Sequence, residues 1–322
     1  MSLFVAIILI VVGFVALVKG ADLLVAGASA LAKWLGISTL LVGLTVVALG
    51  TSMPELVVNV FAAIKNTSDI AIGNIVGSNI ANIALVLGLS TIIFPLKVQN
   101  STVWKEIPFA LLAVVLVTIM ASDVALNGLL NNEIGRGDGL VLLSFSIIFL
   151  YYIFGLAKQG KTDLDEIPDM TVRRMAVYIV LGIVALVIGG KLVIEGAVSL
   201  ATAAGISERI IGLTIVAIGT SLPELMTSVV AAWRKQPDLS VGNIVGSNIL
   251  NVFIILGISA VIRPLPFSGP ALIDASFNIL ITLLLFLFMF VGRKHMLERW
   301  QGIGFVVMYV AYIGYLFTHL TA

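Results

Sequence analysis

The stretch Gly50-Thr51-Ser52-Met53-Pro54-Glu55-Leu56, followed by Gly73-Asn74-Ile75-Val76-Gly77-Ser78-Asn79-Ile80, decides the fold, because it occurs twice. The first run returns as Gly219-Thr220-Ser221-Leu222-Pro223-Glu224-Leu225, and the second returns unchanged as Gly242 to Ile249. Gly36-Ile37-Ser38 likewise returns as Gly205-Ile206-Ser207. A constant offset of 169 residues relates the copies, and 33 of 61 positions match between Gly36–Leu96 and Gly205–Leu265 without a gap. Two unrelated apolar segments would share Leu, Val and Ala by composition. These share Thr, Ser, Pro, Glu and Asn, so the chain is an internal duplication.

The surroundings of the repeats define their solvent. Hydrophobic residues make up 60% of the 322 and charged residues 11%, against about 25% charged in a soluble domain. Such a chain cannot cover a water-facing surface, which excludes a soluble enzyme. A bilayer crossing needs about 20 apolar residues, and the apolar runs predict ten helices. They lie near 3–28, 37–64, 70–94, 105–122, 138–157, 173–201, 206–233, 239–262, 271–291 and 300–319, and Gly, Pro, Ser and Asn are expected to interrupt the second, third, seventh and eighth. The fold class is thus an all-α multi-pass membrane protein. Each half holds five spans, an odd number, so the second half enters the membrane from the opposite side and the two five-helix repeats have inverted topology. Residues 1–157 form the first repeat, with its motif at 36–96; 158–172 form a linker; 173–322 form the second repeat, with its motif at 205–265. A removable leader is not expected, since no positive charge precedes Lys19.

Loop charges set the orientation. Lys33, Lys97, Lys105, Lys158, Lys161, Arg173, Arg174, Arg234, Lys235, Arg293, Lys294 and Arg299 fall on one side. Lys65, Arg136, Arg209 and Arg263 fall on the other. The richer side is expected to be cytoplasmic, with the linker on it and both termini outside the cell membrane. The acids of the linker lack the Gly and terminal Glu of an EF-hand loop and read as a solvated surface. Within spans, Lys19 with Asp22 and Lys191 with Glu195 are spaced for same-face pairing. Asp123, Asp138 and Asp274 sit at span ends and read as interfacial.

Glu55 and Glu224 remain, at matching positions inside apolar segments. A charge at the bilayer centre costs about 2.5–3.5 kcal/mol on insertion scales, so an intramembrane acid wants a cation or a proton. Each follows a Pro, which removes an N–H and disrupts the preceding turn. The carbonyls of Ala48, Thr51, Ala217 and Thr220 are thereby expected to face a cavity. Ser78 with Asn82, and Ser247 with Asn251, are spaced i and i+4 on one helical face. Carboxylate, carbonyl, hydroxyl and amide oxygens suit a hard cation such as Ca²⁺ or Na⁺ and suit soft metals poorly. Asn74, Asn79, Asn243 and Asn248 fit either ion contact or bracing of broken helices. Cys is absent, His295 and His319 lie away from the motifs and no Asp pair falls at midplane, so the chain is poorly equipped for hydrolysis within the membrane. A channel with a Glu ring is disfavoured by inverted broken helices, which suit alternating access.

Gly-Thr-Ser-x-Pro-Glu followed by Gly-Asn-x-x-Gly-Ser-Asn-Ile, twice, resembles the paired alpha-repeats of the cation/Ca²⁺ exchanger superfamily, most closely its prokaryotic sodium/calcium exchangers. The resemblance covers essentially the whole chain. It implies a secondary antiporter that exchanges Na⁺ for Ca²⁺ by alternating access, with sliding of spans one and six. It implies Glu55, Glu224, Thr51 and Thr220 as Ca²⁺ ligands, and Ala48, Ser52, Ser78, Ala217, Ser221 and Ser247 at Na⁺ sites around them, with Asn82 and Asn251 alongside. Many relatives carry Asp where this chain has Asn251, which points to exchange without K⁺. The alternative is a proton/calcium or other divalent-cation exchanger. Ca²⁺ and Na⁺ are cargo; no cofactor and no nucleic acid is expected, and the chain is expected to work as a monomer in the bilayer.

Overall fold

The computed structural model describes residues 2–157, 167–204 and 217–320. Part of the linker, the start of the second motif and Arg209 therefore lie outside the described residues.

The chain is mostly helical. Helix α1 is Leu3–Leu35, and α2 Thr39–Thr51 meets α3 Met53–Lys65 at a bend of 48°. Then come α4 Ile70–Ile93, α5 Thr102–Met120, the short α6 Asp123–Asn127 and α7 Arg136–Ala157. The second half supplies α8 Val172–Ala203, α9 Ala217–Thr220, α10 Leu222–Trp233, α11 Pro237–Ile262, α12 Gly269–Phe288 and α13 Arg299–Leu320. Among the described residues seven of these are long and apolar enough to cross a membrane, and the bent α2–α3 pair makes an eighth. Outward faces carry large apolar side chains in water-excluded numbers, including Phe4, Phe61, Ile147 and Phe154. A soluble fold would bury them, and here they face lipid, as an integral membrane protein requires.

Local sequence explains the breaks. Gly36 ends α1 with φ 67°, and Ser38 caps α2 by accepting the Leu41 N–H at 3.3 Å. Pro54 and Pro223 stand in the first turn of α3 and α10, where their missing N–H is tolerated. Helices α4 and α11 are not interrupted as the sequence reading expects. They stay continuous and absorb the irregularity as π-helical turns at Ala81–Leu87 and Asn251–Leu256. Such turns recur at functional sites.

Helices α1 and α8 pack antiparallel along their length. A Cβ at Gly13 would lie 2.7 Å from the Gly189 carbonyl, one at Gly20 would lie 2.9 Å from that of Gly182, and one at Gly196 would lie 2.6 Å from that of Ala6. Backbones approach this closely only over small residues. The expected Lys19–Asp22 pair is not formed. Asp22 instead pairs with Arg234, because α10 ends against the middle of α1, where Ser29 also donates to Gln236 Oε1 at 2.6 Å. Lys191 and Glu195 do approach, at 3.7 Å.

Two short antiparallel clips tie the halves. Strand β1 (Leu96–Lys97) pairs with β4 (Met296–Leu297), and β2 (Glu133–Ile134) pairs with β3 (Leu265–Pro266). They lie at opposite ends of α5, which runs between β1 and β2. The β1–β4 end also holds the Lys33–Asp169 ion pair at 3.0 Å and the Gln99–Asp238 hydrogen bond at 2.6 Å. Between the ends, Phe109 stacks on Phe149 and tilts against Phe253, joining α5, α7 and α11 in one apolar core.

Candidate ion-binding site

The bend at Ser52 and the matching turn at Ser221 start α3 and α10, and each helix presents its acid in the first turn. Glu55 and Glu224 are both buried, and their charges interact across the centre of the molecule. Ser78 on α4 donates to Glu55 Oε1 at 3.3 Å. Ser52 reaches across the repeats and donates to Glu224 Oε1 at 2.8 Å, and the Ser247 hydroxyl lies 3.0 Å from Ser52 Oγ and 3.4 Å from the same carboxylate oxygen. Each carboxylate therefore spends one oxygen on serines, and its Oε2 has no hydrogen-bond partner among the described residues.

The threonines lie one step further out. Thr51 donates to Asn243 Oδ1 at 3.0 Å, and Thr220 donates to Asn74 Oδ1 at 3.2 Å. Thr51 sits beside Glu224, and Thr220 sits beside Glu55. The four central asparagines form a reciprocal ladder. Asn79 donates to the Asn248 carbonyl at 3.3 Å, and Asn248 returns the bond to the Asn79 carbonyl at 3.2 Å. Asn82 donates to Asn248 Oδ1 and Asn251 to Asn79 Oδ1, each at 3.0 Å. This braces α4 against α11 and leaves Asn82 Oδ1 and Asn251 Oδ1 buried without partners among the described residues.

The structure thus gathers Ser52, Ser78, Ser247, Glu55 and Glu224 into one cluster and sets Thr51, Thr220, Asn82 and Asn251 at its rim. Ser221, the mate of Ser52 under the offset, is buried, and its hydroxyl has no partner among the described residues. The Ala48 carbonyl is not freed of its helical donor as expected: it accepts the Ser52 N–H at 3.0 Å, and the Thr51 hydroxyl, whose one proton goes to Asn243, lies 3.3 Å away. The carbonyl one turn before each Pro, at Gly50 and Gly219, loses its helical donor instead, because Pro has none. Ala217 opens α9. Of the asparagines the sequence left undivided, Asn79 and Asn248 are braces, and Asn74 and Asn243 hold the threonines.

A buried carboxylate oxygen without a hydrogen bond is costly, and a cation relieves that cost. All the partnerless atoms of the cluster are oxygens. Among the described residues no three His, Cys, Asp or Glu side chains gather anywhere. Two carboxylates with neutral oxygens suit a hard cation held briefly better than a resident metal.

Asn59, Ser228 and Glu106 are among the buried polar groups that the sequence did not mark out. Asn59 and Ser228, mates under the offset but different residues, contact Asn74 and Asn243. Their shared position was the available signal. Glu106 is fully buried in a π-helical turn of α5 and accepts the Tyr152 hydroxyl of α7. Next to Lys105 at a span end it reads as interfacial.

The family model described as sodium/calcium exchanger protein matches residues 5–155 and 175–318. A putative antiporter, CaxA of Alkalimonas amylolytica, is 35% identical over 321 residues, 97% of either chain. The sodium/calcium exchanger MaX1 of Methanosarcina acetivorans is 32% identical over 343 residues, 96% of this chain and 98% of that one. Among solved structures, the sodium-calcium exchanger NCX_Mj soaked with Na⁺ and Sr²⁺ superposes with a TM-score of 0.83 at 33% identity, over 97% of this chain and 99% of that chain.

Proposed function

The chain belongs to the sodium/calcium exchanger protein family, and from that premise we propose that it is a secondary antiporter exchanging Na⁺ for Ca²⁺ across the cell membrane by alternating access. The observation that carries this reading is the central pair of acids, each with one buried oxygen left over. Glu55 and Glu224, helped by Thr51 and Thr220, take Ca²⁺. The oxygens of Ala48, Ser52, Ser78, Asn82, Ala217, Ser221, Ser247 and Asn251 line the Na⁺ positions around them.

Coupling follows from charge. Two carboxylates give the open site −2. One Ca²⁺ neutralises it, and so do two Na⁺; a third Na⁺ leaves +1. The same oxygens cannot hold both loads, so loading one ion expels the other. An unloaded −2 site is costly to occlude in lipid, which disfavours the empty return. With more neutral oxygens than two Na⁺ need, three Na⁺ exchange for one Ca²⁺ and the cycle is electrogenic. Asn251 withholds a further negative charge, so K⁺ is not carried.

The architecture proposed is ten spans in two inverted repeats, residues 1–157 and 173–322, joined by a cytoplasmic linker at 158–172, with both termini outside. The ninth and tenth spans are the one ending in α10 and α13. The antiparallel course of α1 and α8, the two clips at opposite ends and the reciprocal asparagine ladder support the inversion. The three ties that join Lys33 to Asp169, Gln99 to Asp238 and Lys97 to Met296 at one end support a common, cytoplasmic face. The chain is proposed to act as a monomer.

Radiolabelled Ca²⁺ uptake into Na⁺-loaded proteoliposomes tests the exchange. Uptake is expected with an outward Na⁺ gradient and not without one. Uptake driven equally well by a proton gradient in Na⁺-free vesicles would replace this reading with proton/calcium exchange.

A further inference from the structure

Behind each threonine of the site stands a second buried amide with a second buried acceptor. Asn243, whose Oδ1 takes the Thr51 hydroxyl at 3.0 Å, donates its Nδ2 to Ser228 Oγ at 2.9 Å and lies 3.4 Å from the Glu224 carbonyl. Asn74, whose Oδ1 takes the Thr220 hydroxyl at 3.2 Å, donates its Nδ2 to Asn59 Oδ1 at 2.6 Å. Asn59 in turn donates to the Ala71 carbonyl at 3.0 Å. Asn59, Ser228 and Asn243 are wholly buried, so bulk water does not stand in for a lost partner.

A hydroxyl has one proton and two lone pairs. When the Thr51 proton points at Glu224, it lies between two oxygens a cation needs. When it points at Asn243 Oδ1, the nearer acceptor at 3.0 Å, or at the Ala48 carbonyl at 3.3 Å, Thr51 and Glu224 both present lone pairs. Thr220 stands in the same relation to Glu55 and Asn74. The amide carbonyl therefore has to face the threonine. An amide end is fixed only when its NH₂ has an acceptor elsewhere, and Ser228 and Asn59 provide it. Without that acceptor Asn243 keeps only the 3.4 Å contact to the Glu224 carbonyl, each amide is held less firmly, and a turn of its NH₂ toward the threonine takes away the acceptor that draws the threonine proton off the carboxylate.

From this we infer that Asn59 and Ser228 are positioning residues for cation binding: through Asn74 and Asn243 they hold Thr220 and Thr51 with their lone pairs turned to the ions. The inference rests on the ion site proposed above. The two chains are mates under the 169-residue offset, 59 with 228, 74 with 243 and 220 with 51 in the other repeat. Only the outermost position differs in residue type. What the two halves share there is an acceptor, not a side chain, and this makes a sharp test possible. The partners of metal ligands commonly change affinity by roughly 10–100-fold when removed.

The experiment uses the full chain in proteoliposomes and measures KM for Ca²⁺ and maximal rate per folded protein, with thermal stability alongside. Asn59→Leu and Ser228→Ala each remove an acceptor and are expected to raise KM about tenfold while the maximal rate stays within about twofold. Asn59→Ser restores the acceptor used in the other half and is expected to keep KM within about twofold of the parent. An unchanged KM in Ser228→Ala, a KM and rate that fall together, or an Asn59→Ser as impaired as Asn59→Leu would each overturn the inference. Ser228→Ala deletes a single oxygen, so it carries the test if Asn59→Leu does not fold. Glu224→Gln is run in parallel: if it transports normally, the ion site itself is wrong, whereas its loss with unchanged KM in Ser228→Ala condemns the positioning chains alone.

Discussion

Glu55 and Glu224 each keep one oxygen without a hydrogen-bond partner among the described residues, and the first prediction lives there. Glu55→Gln or Glu224→Gln keeps side-chain volume and removes half the site charge. Ca²⁺ uptake is expected to fall by roughly a hundredfold or more with folded protein retained, as loss of a charged ligand implies; near-parental uptake in either variant removes that residue from the site. Asn251→Asp adds an acid where the asparagine carbonyl oxygen is free. Its carboxylate is charged at neutral pH and neutral in acid, so cation binding is expected to strengthen as pH rises and to weaken as pH falls, more steeply than in the parent. A matching pH profile of Ca²⁺ uptake in variant and parent means that position 251 does not face the ions. The acids were legible because charge inside an apolar run is conspicuous. Asn59 and Ser228 were not, because a hydrogen-bond acceptor tolerates a change of residue that an identity comparison does not. Nor was Ala48: Pro54 withholds its N–H from Gly50, four residues back, and leaves Ala48 the donor it has from Ser52.

Among the elements, α1 and α8 hold the clearest signal that went unread. Gly13, Gly20 and Gly27 stand seven apart and return as Gly182, Gly189 and Gly196 at the same offset of 169, so the duplication reaches well before the motif. Period seven keeps one side of each helix facing its partner. The positions were visible; their meaning needed the partner helix. Gly20→Val places atoms where the Gly182 carbonyl already sits 2.9 Å away. Overpacking of that kind costs about 1–3 kcal/mol, and a lowered melting temperature of the purified protein is expected. An unchanged melting temperature would show that the two helices separate readily there. Asp169→Ala, by contrast, cuts an ion pair whose acid is 93% exposed. Such pairs contribute about 0–1 kcal/mol, and no measurable change in melting temperature is expected. Helices α4 and α11 were read as broken because they carry Gly, Ser and Asn, yet the π-helical turns keep the chain helical while re-aiming Asn82 and Asn251.

At the scale of the whole molecule, duplication, membrane class and the pairing of corresponding segments could all be read from the sequence, since each rests on pattern. The clips and the Asp22–Arg234 pair could not, since they depend on how tilted helices meet. Topology is open to direct test in this Cys-free chain. Leu130→Cys, in the exposed loop after α6, and Asp169→Cys, in the linker, are expected to label differently in intact cells with an impermeant thiol reagent, Leu130→Cys reacting and Asp169→Cys not. The reverse pattern turns the protein over in the membrane. Electrogenic exchange is expected to respond to voltage, since one charge moved across the membrane gains about 2.3 kcal/mol per 100 mV. Ca²⁺ uptake should quicken when the Na⁺-loaded interior is clamped positive, and indifference to the clamp leaves two Na⁺ per Ca²⁺. The claim beneath all of these is that one set of oxygens serves both ions in turn. Equilibrium Ca²⁺ binding to the purified protein, titrated at increasing Na⁺, measures that directly. The account predicts an apparent Kd that climbs with Na⁺ while the number of Ca²⁺ sites stays constant; a Ca²⁺ isotherm that Na⁺ leaves in place would contradict it.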